Sequence, residues 1–104
     1  MLDKTERINE LLDWYASLLT EKQHECARLY YQEDLSLSEI AELTHSSRAA
    51  IHESLKRTEE LLEGYEAKLS CLKTYKGRLK ILQSILECGH EDVNRLVQQL
   101  LDQE

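Results

Sequence analysis

A chain of 104 residues holds one domain, or a small domain with an extension, because domains usually run to about 100–150 residues; a multidomain enzyme is excluded. Hydrophobic residues make up 41% and charged residues 32%, with no Phe, no Pro and three Gly, so Leu, Ile and Ala must build the core, as in an all-helical protein. Thirteen Lys and Arg against twenty Asp and Glu leave a net charge of −7, the wrong sign for coating nucleic acid or anionic membrane, so any such contact has to be local.

The first segment places Ile8, Leu11, Leu12, Tyr15, Leu18 and Leu19 on one stripe at helical spacing, which predicts an amphipathic helix over about residues 4–18. Thr20 followed by Gln23 has the form of a capping box. A second helix should therefore begin at Glu21, end near Gln32, and carry Cys26, Ala27, Leu29 and Tyr30 inward. Ser36 and Glu39 repeat the device and open a short third helix with Ile40, Ala41 and Leu43 as its inner side, before THSS interrupts it.

Ser47 is a natural N-cap for a fourth helix, in which Ile51, Leu55, Thr58, Leu62, Tyr65, Leu69 and Leu72 alternate at steps of four and three. That is a heptad seam. Tyr75, Leu79, Leu82 and Leu86 prolong it after two successive steps of three around Leu72, a shift that either one bent helix or two helices would satisfy. A single rod over residues 47–87 would measure about 60 Å, against about 30–35 Å for a compact domain of this length. Such a rod needs a partner to cover it, so a homodimer is expected, with Leu62, Tyr65, Leu69, Leu72, Leu79 and Leu82 as the candidate dimer seam. Gly89, in Cys88-Gly89-His90, suits the left-handed position that ends a helix; Val93, Leu96, Val97, Leu100 and Leu101 then form a last amphipathic helix. The division expected is a headpiece over residues 1–64 and a helical extension or dimerisation segment over residues 65–104.

No apolar run approaches the ~18 residues a membrane helix needs, and the N-terminal stretch lacks the pattern of a secretory signal, so a cytoplasmic location with no membrane association is expected. Cys26, Cys71 and Cys88 form no CxxC pair, which argues against a disulfide framework or a zinc ribbon. The four histidines do not pair with one another or with Cys at helical spacing, so no metal is expected. With no Gly-rich phosphate loop, nucleophile elbow or clustered acid-base set, neither a cofactor nor enzymatic activity is expected.

Residues 36–57, SLSEIAELTHSSRAAIHESLKR, have the form of a helix-turn-helix: a capped helix, a tight break, and a second helix opening on Ser and small residues. Together with TEKQHECARLYYQEDLS upstream, the stretch resembles region 4 of sigma factors, which implies the winged-helix-like class of DNA-binding folds. The segments LLDWYASLLTEKQ, LYYQEDLSLSEIAE and SRAAIHESLKRTEELLEGYEAKL further resemble the YlxM-type family of small helix-turn-helix proteins. That resemblance covers roughly residues 8–70. It implies an all-helical, cytoplasmic bacterial regulatory protein taking part in the signal recognition particle pathway, a link resting on its gene lying beside those of the particle's GTPase and receptor. The chain departs from the family at the turn, carrying Thr44, His45 and Ser46 where members tend to have an apolar residue, Gly and Val. Without the glycine, a positive φ there strains the corner.

In this fold the first turns of the second helix present Ser47, Arg48, His52 and Lys56 as candidate nucleic-acid-binding residues, Arg48 foremost. Against them, residues 46–63 hold three cations and four acids, and phosphate contacts dominate affinity. A second basic footprint lies at Lys73, Lys76 and Lys80, in a stretch without acids that suits the phosphates of DNA or a structured RNA. The competing reading is a protein-interaction adaptor, or an RNA-binding accessory factor of the particle, that does not bind DNA and whose acidic surface meets a basic protein of the particle.

Overall fold

The computed structural model describes residues 2–103. It contains six α-helices: α1 (Leu2–Tyr15), α2 (Glu21–Tyr31), α3 (Leu37–Thr44), α4 (Arg48–Leu69), α5 (Cys71–Glu87) and α6 (Glu91–Asp102). A 3₁₀ turn at Ala16–Leu18 follows α1. Among the described residues there is no strand and hence no β-wing, and no helix is long and apolar enough to cross a membrane.

The helix starts are where their caps demand. The Thr20 hydroxyl accepts from the Gln23 N–H while the Gln23 side chain accepts from the Thr20 N–H, each at 3.1 Å. Ser36 and Glu39 form the same reciprocal pair: the Ser36 hydroxyl accepts from the Glu39 N–H at 3.1 Å and the Glu39 carboxylate from the Ser36 N–H at 2.9 Å. The Ser36 N–H first, and then its side chain, hold the Glu39 carboxyl below its ordinary pKa. Gly89, at φ +75°, stands just beyond the end of α5 in the left-handed conformation expected of it.

The chain divides into two compact units, one running to Leu72 and the other from Lys73. The first includes residues 65–72, which the sequence pattern assigns to the extension. Its core gathers Ile8, Leu11, Leu12 and Tyr15 from α1, Cys26, Ala27 and Tyr31 from α2, Ile40 and Ala41 from α3, Ile51, Leu55 and Leu62 from α4, and Leu72. Two inward residues expected from the pattern point out instead. Leu18 is exposed because the 3₁₀ turn changes the helical phase after Tyr15, and Leu43 because α3 turns its Leu37–Ile40–Ala41–Thr44 stripe inward. In α2 it is Tyr31 that is buried, with Tyr30 outside, since the Tyr31 hydroxyl donates to the Glu59 carboxylate on α4.

The buried face of α4 runs through Ile51, Leu55, Thr58, Leu62 and Glu66. A straight α-helix has 3.6 residues per turn, so its inner face drifts from the 3.5-residue heptad of the sequence and arrives at Glu66 rather than at Leu69, which is exposed. The consequence is a buried carboxylate, and its lone pairs are used. Glu66 accepts from the Tyr15 hydroxyl at 2.5 Å and from the Leu72 N–H at 3.1 Å, and the Tyr15 oxygen accepts from the Cys71 N–H at 3.1 Å. These bonds cap the start of α5, while Ser70 takes the left-handed conformation at φ 55°. The seam is therefore two helices, not one rod.

Candidate nucleic-acid interface

The corner between α3 and α4 is built as a Schellman motif. His45 is left-handed at φ 55° and ψ 41°, the Ser46 N–H reaches back to the Ala41 carbonyl at 2.9 Å, and the His45 N–H reaches that of Glu42 at 3.4 Å. The positive φ that favours glycine is required here, and histidine adopts it. The corner keeps its helix-turn-helix path, and the Ser47 hydroxyl then caps α4 by accepting from the Ala50 N–H at 3.0 Å. With Ile40 and Ala41 packed under Ile51 and Leu55, the outer side of the first turns of α4 faces solvent.

On that side Arg48, His52 and Lys56 stand four residues apart, all exposed. They form one line about 12 Å long at 1.5 Å rise per residue, comparable to the width of a DNA major groove. Most other cations of the first unit are engaged within the chain. Lys4 bridges to Glu59 at 3.0 Å, Arg7 grips Glu63 in a fork of 2.8 and 3.1 Å, Arg28 holds Glu25 at 2.7 Å, and Arg57 lies 3.9 Å from Glu53. Among the described residues Arg48 and Lys56 have no such carboxylate within reach. Ser47 is committed through its oxygen to the cap but keeps its hydroxyl proton for a ligand.

Two residues that bear on the interface were not visible in the sequence. Lys4 and Arg7 come from α1, some 50 positions away, and neutralise Glu59 and Glu63 on α4. The Tyr31 hydroxyl also donates to Glu59, and burial first, then this bond, pushes its pKa well up. Counting Lys4 and Arg7 with the three cations and four acids of residues 46–63, the local tally becomes +1 rather than −1. No sequence signal identifies these partners, because nothing local pairs them.

Beside the line lies an open concavity of about 680 Å³ bordered by His52, Lys56, Tyr30, Tyr31, Leu37 and Lys4. The second basic footprint belongs to the other unit, where Lys73, Lys76 and Lys80 are exposed on α5 and the Arg78 guanidinium lies 5.9 Å from the centre of the Tyr75 ring. The candidate seam residues separate. Leu62 and Leu72 are buried within the first unit and Tyr65 packs against its core, Leu69 is exposed, and Leu79 and Leu82 are half-buried on α5. Among the described residues no group of three or more His, Cys, Asp or Glu is placed to hold a metal ion.

Residues 2–103 match the family UPF0122, described as "Putative helix-turn-helix protein, YlxM / p13 like". UPF0122 protein BH2485 of Halalkalibacterium halodurans is 54% identical over 87 residues, covering 84% of this chain and 80% of its own length. UPF0122 protein OB1530 of Oceanobacillus iheyensis is 46% identical over 103 residues, 98% of both chains. UPF0122 protein BCAH187_A3894 of Bacillus cereus is 44% identical over 104 residues, 98% of this chain and 94% of its own.

Proposed function

The chain belongs to the UPF0122 family of YlxM/p13-like helix-turn-helix proteins, and from that premise we propose that it is a non-enzymatic regulatory protein that binds DNA through the first turns of α4. The observation that supports this most is the exposed line of Arg48, His52 and Lys56 behind an intact helix-turn-helix corner. Arg48, at the helix start, is placed to fork onto a guanine edge, while Lys56 is suited to a phosphate. Lys73, Lys76 and Lys80 can add phosphate contacts. The likeness to YlxM-type proteins suggests that the process regulated is the signal recognition particle pathway.

Fluorescence anisotropy of a labelled duplex from the region upstream of the chain's own gene, with a scrambled duplex as control, tests the reading. Three to four engaged phosphates give a salt slope near −3, so affinity should fall roughly 40- to 150-fold between 50 and 200 mM salt. Arg48→Glu should weaken binding by about five- to 150-fold, since a base-reading arginine contributes about 1–3 kcal/mol. No binding at 50 mM salt, or unchanged affinity in both Arg48→Glu and Lys56→Glu, refutes it. One observation favours an adaptor instead: the first unit holds fifteen acids against eight bases, a surface suited to a basic protein of the signal recognition particle. On that reading the duplex stays unbound while the purified basic protein is retained. An RNA accessory role is separated by including the particle's RNA in the same titration.

A further inference from the structure

The second unit carries more apolar surface than it covers. In α6, Val93, Leu96, Val97, Leu100 and Leu101 lie on one stripe at helical spacing. One edge of the stripe is covered, with Val97 only 3% exposed. The other edge is not: Val93, Leu96 and Leu100 are 40%, 60% and 54% exposed.

On α5, Thr74, Gly77, Ile81 and Ser84, followed by Cys88 at the helix end, succeed one another at steps of three and four residues, all exposed and uncharged. Ile81 stands out of this seam at 64% exposure. A side chain added at Gly77 would meet nothing within 4 Å, so the seam is open to a close-packing helix. Its polar atoms can be buried cheaply. The Ser84 hydroxyl already donates to the Lys80 carbonyl at 3.1 Å and the Cys88 thiol lies 3.5 Å from that of Ser84, so covering them strands neither group.

Charge indicates what covers both surfaces. The unit holds five basic and five acidic residues, but they are segregated. Lys73, Lys76, Arg78 and Lys80 crowd the first half of α5, while Glu87, Glu91, Asp92 and Asp102 lie at the end of α5 and along α6, with Arg95 the one cation there among the described residues. A neutral element with a basic part and an acidic part is complementary to a copy of itself turned through a two-fold axis. A 32-residue helix pair is also below the ~40 residues at which a unit can supply its own core.

We infer that the chain forms a two-fold dimer through α5 and α6, the outer edge of α6 in one protomer covering the uncharged α5 seam of its partner, and reciprocally. The α4 heptad is not the interface, because Leu62 and Leu72 are spent inside the first unit. Size-exclusion chromatography with light scattering on the full chain, from 1 to 100 µM, tests this without any nucleic acid. The wild type should elute at twice 12.2 kDa, and Leu96→Glu/Leu100→Glu should elute as a monomer with unchanged far-ultraviolet circular dichroism. Ile81→Glu, at a position where the side chain lies mostly in solvent, should do the same, and it decides the matter if the double variant loses helix. A wild type monomeric at 100 µM overturns the inference, as does a dimer that survives Ile81→Glu.

Discussion

Replacing His45 by glycine measures what the helix-turn-helix corner costs. His45 holds φ 55° and ψ 41°, where an L-residue loses about 1–2 kcal/mol relative to right-handed backbone. Glycine escapes that loss but brings extra unfolded-state entropy of about 0.5–1 kcal/mol. The imidazole is exposed and no hydrogen bond or ion pair of it is seen among the described residues, so nothing else offsets the difference. His45→Gly should therefore stabilise the fold by about 0.5–1 kcal/mol, raising Tm by roughly 2–8 °C for a unit of this size. Urea denaturation followed by circular dichroism and Trp14 fluorescence reads the change directly. The Schellman bonds from Ser46 to Ala41 and from His45 to Glu42 are backbone to backbone, so the path of the chain, and any duplex affinity, should stay within twofold of wild type. A destabilised glycine variant would refute the reasoning, because it would mean that the histidine side chain contributes a contact at the corner that outweighs the backbone penalty.

Alkaline pH should unfold the first unit early. Tyr15 and Tyr31 both have folded-state pKa values raised above the unfolded value of 10, mainly by burial and then by hydrogen bonds to Glu66 and Glu59. The stability they contribute is complete below pH 10 and is lost above it, at about 1.4 kcal/mol per pH unit for each proton released on unfolding, or roughly 3 kcal/mol in all between pH 9 and 11. Urea melts at the two pH values check this, and Tyr15→Phe should remove half of the pH-dependent part; equal stability at both would contradict it. Ser36→Ala, which leaves the Glu39 N–H without its acceptor, should cost about 1 kcal/mol by the same melts. Among the thiols, Cys88 is exposed on the single chain and lies in the proposed dimer seam, so it should react with an aromatic disulfide reagent at once in the monomeric Ile81→Glu variant. Cys26, buried and with its pKa pushed up by that burial, should react only as the fold opens; comparable rates for the two would show that Cys26 is accessible.

Much of this architecture was legible because it is local. Thr20–Gln23, Ser36–Glu39, Ser47 and Gly89 each mark a helix end with a side chain or a backbone preference that acts within four residues. The break at Ser70 was only half legible: the two successive steps of three around Leu72 allowed either one bent helix or two helices, and no glycine or proline there chose between them. What ends α4 is Glu66 reaching Tyr15 and Leu72, and Tyr15 is 51 residues from Glu66. The same distance hid the pairing of Lys4 with Glu59 and Arg7 with Glu63. Leu43 misled for another reason: a helix of eight residues has little apolar pattern to average over, and the stripe from Leu37 to Thr44 outweighed it.

Those unseen pairs bear on whether an acidic protein can present a DNA-reading helix. At physiological ionic strength charges are screened over about 8 Å, so the net −7 of the chain is felt at Arg48 only through its nearest part. Glu59 lies eleven residues along α4, about 16 Å at 1.5 Å per residue, and is held by Lys4 and Tyr31 on the side of α4 that meets α1 and α2. Glu63 is farther and gripped by Arg7. The acid nearest to Arg48 on its own helix, Glu53, has Arg57 at 3.9 Å. What the groove of a duplex would meet first is thus the line of Arg48, His52 and Lys56, with the acids of α4 set back along the helix and most of them already answered by cations of the same chain. On the proposed DNA-binding reading, the surplus negative charge acts on selectivity: it would oppose loose, sequence-independent adsorption along DNA, where many phosphates crowd a broad surface, more strongly than docking at one site through a few contacts.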